Sequence, residues 1–319
     1  MCIRDRRRPA HEDAAEAFVT AVDRGRYSCV ITGPEAAGRE VTAVKARELG
    51  RKGVVVGDNV SLAGDISGDP GTLARIVRVA PRASVLRRSA DDTDPVERVI
   101  VANADQLGIV TALANPPPRP RLIDRFLVAA YDAGLDPLLL LTKADLASPD
   151  EILTLYAPLG LRYLVSGRPL TEAVLDELRT MVAGRISVLV GHSGVGKSTL
   201  VNALIPEASR AVGTVSPVTG RGRHTSSSVV ALPLPGGGWI IDTPGLRSFG
   251  LGHIAADRVA AAFPDLADGL ADCAPGCSHL SAECALDDWV AEHDQTGALA
   301  ARLDSLRRLL RSREGDDDT

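Results

Sequence analysis

The chain has 319 residues, 45% of them hydrophobic, and a formal net charge of −5. That is enough for two or three domains with full cores, and no apolar run approaches the ~20 residues of a helical membrane span. Three of its five cysteines fall within twelve residues, at Cys273, Cys277 and Cys284, which excludes a disulfide framework and suits a metal cluster better.

Residues 1–24 are polar and Ala-rich and predict a flexible basic arm. The opening "MCIRDRRRPAHED" has no apolar core behind its basic residues, so it does not read as a secretory signal, and a cytoplasmic protein is expected. Residues 25–90 hold short β-type runs broken by glycine, among them "RYSCVITG", "GVVVGDNVSLAG" and "LARIVRVAPRASVLRR", the pattern of a small all-β barrel. Residues 1–90 carry 16 Lys+Arg against 11 Asp+Glu, and the remainder 20 against 30. A basic front portion suits a polyanion, and a solvated surface explains the charge equally well.

Residues 91–265 alternate apolar strands with helical spacing, as in a parallel α/β sheet. "ERVIVANADQLGIVTAL" is strand material, "PPPRP" (116–120) a loop, "RLIDRFLVAAYDAGL" a helix and "PLLLLTKADL" a buried strand. Residues 266–313 hold a Cys/His cluster and one long helix from about 287 to 313, with apolar positions such as Trp289, Val290, Leu299, Leu303, Leu306 and Leu310. Residues 314–319 form an acidic tail expected to be disordered.

Three motifs in the α/β region carry chemistry. Gly191-His192-Ser193-Gly194-Val195-Gly196-Lys197-Ser198 fits the G-x-x-x-x-G-K-[ST] phosphate loop, between the strand "ISVLV" and a helix that Ser198 and Thr199 open. Its glycines let backbone N–H groups converge on phosphate oxygens at a helix N-terminus. Lys197 is expected to reach the β- and γ-phosphates and the Ser198 hydroxyl to bind Mg²⁺. Asp242-Thr243-Pro244-Gly245 follows a second apolar strand. Asp242 is placed for Mg²⁺ and the Gly245 N–H for the γ-phosphate.

The third motif, Thr142-Lys143-Ala144-Asp145, precedes the other two. A carboxylate that accepts from N1–H and N2–H selects guanine, because adenine cannot supply both donors. A lysine stem usually covers the base beside it. The chain has only four lysines, Lys45, Lys52, Lys143 and Lys197, so no base-covering lysine exists downstream of the phosphate loop. Lys143 and Asp145 therefore read as the base-recognition pair of a rewired chain. Ser166, with Gly167, is expected to add an auxiliary base contact at the end of "YLVSG". Cys273, Cys277, His279 and Cys284 offer three thiolates and an imidazole, a closed tetrahedral set for one structural Zn²⁺.

Together these features resemble the circularly permuted GTPases that depend on the small ribosomal subunit and act in its assembly. The resemblance runs along nearly the whole chain and extends to "IVANADQLGIVTAL" and "GRGRHTSSS". It implies an N-terminal OB-fold barrel, a permuted P-loop GTPase domain and a small zinc-binding helical region. It further implies hydrolysis of GTP to GDP and phosphate with Mg²⁺, and the small ribosomal subunit and its rRNA as partners. A monomer with no membrane association is expected.

Three departures from the family are visible. The base-reading segment opens with Thr142 where Asn is usual, and a hydroxyl is shorter with fewer donors. The switch reads His224-Thr225-Ser226-Ser227 in place of H-T-T-T, with Thr225 taken as the Mg²⁺ ligand. The gaps between metal ligands differ by one residue. Leu246 stands where many GTPases carry a water-orienting Gln, which makes His224 a candidate for that task; contact with RNA or solvent fits it as well. The same motifs also suit a permuted GTPase acting on another structured RNA, or a nucleotide-gated RNA-binding module with little turnover.

Overall fold

The computed structural model describes residues 13–50, 53–89, 97–206, 229–243, 250–251, 254–281 and 283–313. The chain divides into two units, Met1–Ala83 and Ser84–Thr319.

The first unit contains β1 (Ala15–Asp23), β2 (Arg26–Ile31), β3 (Glu40–Lys45), β4 (Asn59–Gly64) and β5 (Ala74–Val79). They pair in the order β1-β2-β3-β5-β4, and β1 also pairs with β4, closing the sheet. All pairs are antiparallel except β3 with β5, the connectivity of an OB-type barrel. Alternate residues face a small core that includes Ala17, Val19, Cys29, Ile31, Val41, Val60, Leu62 and Ile76. The barrel thus starts ten residues earlier than expected, since Ala15–Asp23 is a strand and no part of a flexible arm. Its polar, Ala-rich composition argued for a flexible arm, whereas in the barrel Ala17 is a buried core residue. A two-residue turn fixes the register: Asp23 opposes Arg26, and Arg24 and Gly25 both have positive φ, 46° and 82°, as a type I′ hairpin requires.

The second unit opens with a two-stranded ribbon, β6 (Val85–Arg88) and β7 (Arg98–Ala102). Its main sheet contains β8 (Gln106–Ala112), β9 (Asp136–Thr142), β10 (Arg162–Val165), β11 (Ile186–Val190), β12 (Val230–Pro233) and β13 (Trp239–Asp242). The order is β10-β9-β8-β11-β13-β12, parallel except for β12. Every residue of β8 is buried, as expected for a parallel sheet covered on both faces.

The helices are α1 (Pro120–Ala133), α2 (Asp150–Tyr156), α3 (Glu172–Val182), α4 (Lys197–Leu204), α5 (Ala256–Ala260), α6 (Ala267–Ala271), α7 (Ala285–His293) and α8 (Ala298–Arg313). The single C-terminal helix expected from about 287 is therefore two. Asp294 makes the break: its carboxylate accepts the N–H groups of Thr296, Gly297 and Ala300 at 3.0, 2.7 and 2.8 Å, satisfying donors at the start of α8 as a capping side chain does.

Among the described residues no helix is long and apolar enough to cross a membrane. The expected arm over residues 1–12 and the acidic tail lie outside the described residues.

Candidate functional site

The phosphate loop joins β11 to α4 at the carboxyl edge of the sheet, where open α/β sheets take ligands. Gly191 leaves the strand with φ +149°, and a Cβ there would sit 2.3 Å from the Val110 carbonyl oxygen. Only glycine lets the loop pass that close to the backbone of β8. Gly196, at φ +103°, turns the chain into α4, and a Cβ there would sit 3.5 Å from the Thr142 side chain. Ser193, Gly194, Ser198 and Thr199 are exposed at the mouth of the loop, while Val195 is buried beneath it.

Lys197 is 8% exposed, and its ammonium donates to the Gly191 and His192 carbonyls at 2.7 and 3.3 Å. Burial pushes its pKa down, and the Asp242 carboxylate resists that shift. Asp242 ends β13 beside Leu189 of β11. Burial pushes its carboxyl up, while Lys197 pulls it down. Its Oδ1 is buried with no hydrogen-bond partner among the described residues, an acceptor that a bound cation would satisfy. Asp242 and the Ser198 hydroxyl are hard oxygen donors and fit Mg²⁺. Beside them Thr243 is fixed by donating to the Leu189 carbonyl at 2.7 Å.

The base-reading segment leaves β9, the second neighbour of β11 across β8. Lys143 has φ +62°, which turns it back over the phosphate loop. Its ammonium donates to the Gly194 carbonyl at 2.9 Å and to the Asn115 carbonyl. Thr142 is 6% exposed and donates to the Val195 carbonyl at 2.5 Å. The first and third motifs are therefore stitched together, although about fifty residues separate them in sequence.

Asp145 is exposed at the rim, with Oδ1 accepting the Arg168 N–H at 2.8 Å. The β10 turn is tied alongside, where the Ala144 N–H donates to the Ser166 carbonyl at 3.0 Å and Gly167 packs on Asp145. The Ser166 hydroxyl does not face this rim; it donates to the Leu141 carbonyl at 3.2 Å. That side chain holds the turn, and an auxiliary base contact would have to come from backbone. Asn115 is a participant that sequence reasoning missed, because a carbonyl contact leaves no mark on side-chain identity.

The four metal-type ligands also meet. Ligand atoms of Cys273, Cys277, His279 and Cys284 all lie within 4.8 Å of one another. Cys284 Sγ is 3.7 Å from Cys273 Sγ and 3.8 Å from His279 Nδ1. Two thiolates about 2.3 Å from a tetrahedral Zn²⁺ would be about 3.8 Å apart, so the cluster has the right size. Burial pushes the His279 pKa down, which favours the neutral imidazole, and pushes the Cys284 thiol up to about 11. The loop is held from outside: Arg307 donates to the His279 carbonyl at 3.0 Å and pairs with both Asp287 oxygens at 2.7 and 2.6 Å. His224, Thr225, Gly245 and Leu246 lie outside the described residues.

Strand order, glycine-lined loop and base-reading segment define a circularly permuted P-loop nucleotide-binding domain. The RsgA GTPase family model matches residues 79–252, and the chain belongs to that family. It is 43% identical over 222 residues to the "Small ribosomal subunit biogenesis GTPase RsgA" of Pseudomonas aeruginosa (strain LESB58), a match covering 65% of this chain and 64% of the relative. It therefore spans less than two thirds of that relative's length. The like-named protein of Chromohalobacter salexigens is 37% identical over 320 residues, covering 91% of this chain and 88% of the relative. Among solved structures, YjeQ from Thermotoga maritima aligns with a TM-score of 0.66 at 23% identity, covering 95% of this chain and 99% of that one. YloQ, described as a circularly permuted GTPase, aligns at 0.65 and 21% identity, covering 98% and 99%. These two likenesses support the fold.

Proposed function

We propose that this protein is a GTPase that binds the small ribosomal subunit and hydrolyses GTP as a late checkpoint of its maturation. The observation that supports the nucleotide chemistry is the direct bonding of Thr142 and Lys143 to the phosphate loop, which favours reading the two motifs as a guanine reader and a phosphate cradle of one crevice. The names of the relatives supply the ribosomal part of the proposal.

Asp145 selects guanine. The backbone N–H groups of Gly191–Ser198 and the Lys197 ammonium hold the phosphates, and Lys197 moves from loop carbonyls to phosphate oxygens when nucleotide binds. Asp242, Ser198 and Thr225 would hold Mg²⁺, which supplies charge neutralisation across the β- and γ-phosphates. His224 orients the attacking water in place of the missing Gln, and Gly245 senses the γ-phosphate. Water attacks the γ-phosphorus as its bond to the bridging oxygen breaks, giving GDP and phosphate. One structural Zn²⁺ sits in the Cys273/Cys277/His279/Cys284 cluster. The barrel and the zinc region contact rRNA, and the protein works as a cytoplasmic monomer.

Because Leu246 cannot orient water, turnover of the free protein is slow. The test is GTP hydrolysis measured alone and with each ribosomal subunit separately. The small subunit should accelerate it and the large should not; a 10²-fold gain requires only ~2.7 kcal/mol. His224→Ala should reduce the stimulated rate with GTP affinity retained. Equal response to both subunits, or none to either, would overturn the proposed partner.

A further inference from the structure

The one departure inside the base-reading segment has a structural consequence for how guanine is recognised. An asparagine at position 142 has two N–H donors, enough for the loop carbonyl and for N7 of the base together. A threonine has a single O–H. Here that hydrogen goes to the Val195 carbonyl at 2.5 Å, and among the described residues the Thr111 carbonyl, at 3.4 Å, is the more distant second acceptor. The side chain is 6% exposed and lies against Gly196, so its position is set from below the loop. Lys143 is also turned onto loop carbonyls, at Gly194 and Asn115, and a carboxylate such as that of Asp145 offers acceptors only.

Building on the GTPase function proposed above, we propose that Thr142 is a positioning residue which keeps the loop brace and gives up the base contact. Guanine is then selected through its N1–H and N2–H edge by Asp145, with no side-chain donor from position 142 to N7. Two expectations separate this role from a merely structural one. Replacing N7 by C–H should be nearly without effect in the native protein. Restoring a second donor at 142 should create a sensitivity to N7 that the native protein lacks.

The experiment is a binding comparison of GTP, 7-deaza-GTP and ATP on the full-length protein and three variants. Native protein should bind GTP and 7-deaza-GTP within about twofold. Thr142→Asn should favour GTP over 7-deaza-GTP by about two- to tenfold, the worth of one neutral hydrogen bond. Thr142→Ser should behave as native. Thr142→Val leaves the Val195 carbonyl without this donor and should weaken GTP and 7-deaza-GTP by the same factor. A native preference for GTP over 7-deaza-GTP of tenfold or more would overturn the inference, as would native affinity in Thr142→Val. If GTP is preferred to ATP in either of those cases, only the role of Thr142 fails. If GTP and ATP bind alike, the GTPase assignment fails with it.

Discussion

Replacing Arg308 by alanine tests what holds the C-terminal helix to the nucleotide-binding domain. Asp124 on α1 is 1% exposed, and Arg308 of α8 donates through Nε to its two carboxylate oxygens at 3.2 and 3.0 Å. The Tyr156 hydroxyl lies 3.0 Å from Asp124 Oδ1 and 2.9 Å from the Pro120 carbonyl. Arg308 also covers the Tyr156 ring at 4.8 Å. Burial pushes the Asp124 pKa up, against Arg308 and Tyr156, which pull it down. A carboxyl whose folded pKa is raised contributes its stability fully below its unfolded pKa and loses it as pH rises through the folded value.

Arg308→Ala removes the main restoring charge, so the folded pKa of Asp124 climbs further and the neutral carboxyl is favoured more strongly. Each unit by which the folded pKa rises costs about 1.4 kcal/mol at a pH above it, so the deficit grows as pH rises. The expected loss at pH 7 is about 3–4 kcal/mol, in line with breaking other buried ion pairs. Urea unfolding followed by tryptophan fluorescence reads this unit alone, because both tryptophans, Trp239 and Trp289, belong to it. The deficit relative to native protein should shrink as pH falls from 7 to 5. It should lose that pH dependence in the Asp124→Asn/Arg308→Ala double variant. A deficit below about 1 kcal/mol at pH 7, or one equal at both pH values, would refute the reasoning.

Three further perturbations address the site. Asp145→Asn keeps an oxygen for the Arg168 N–H but turns an amide toward the base; GTP affinity should fall by about 10² or more while XTP gains, as competition binding would register. If native protein binds ATP as tightly as GTP, Asp145 is not the base reader. Purified protein should carry about one zinc per chain, and Cys277→Ser should lose it with GTP binding largely retained; a metal-free, fully folded native protein would contradict the cluster assignment. Gly191→Ala forces a Cβ to within 2.3 Å of the Val110 carbonyl at φ +149°. It should lower nucleotide affinity at least tenfold with zinc content unchanged, and native affinity in that variant would show that the loop relaxes freely.

The phosphate loop was legible in the sequence because its chemistry needs fixed residue types at fixed spacing between a strand and a helix. The candidate base reader stood out for a different reason: with four lysines in the chain, elimination left Lys143, and the structure brings it onto the phosphate loop. Elsewhere the signal failed where packing outweighs propensity. Ala15–Asp23 looked loose because alanine carries little strand preference, yet pairing with β2 and β4 decides its state. The break at Asp294 was hidden because apolar positions on both sides continue a helical period. Thr142 looked like a weakened asparagine, and only the 2.5 Å bond to Val195 reveals that it retains half of the asparagine's task. His224, Thr225 and Gly245 lie outside the described residues, so their roles rest on motif chemistry.

Permutation leaves the crevice intact because a parallel sheet is assembled by neighbouring strands, and β9, β8, β11 and β13 lie side by side whatever their order in the chain. It does alter what is covalently attached to the Asp242 strand. In an unpermuted chain the Asp242 strand would be followed by further sheet strands and the base reader. Here it leads through residues 244–249 to the Cys3His module. Both ends of that six-residue segment are anchored: Thr243 donates to the Leu189 carbonyl at 2.7 Å, and the Gly250 carbonyl accepts the Ser89 N–H at 3.2 Å. Beyond Gly250, Leu251 and Ile254 are buried, and α8 returns to α1 through Arg308 and Asp124. The helix α1 in turn follows the Asn115–Pro116 loop that receives Lys143. A path of packed elements thus runs from the Cys3His cluster through Arg307 and Arg308 of α8 to Asp124 of α1, and so to the loop whose Asn115 carbonyl receives Lys143.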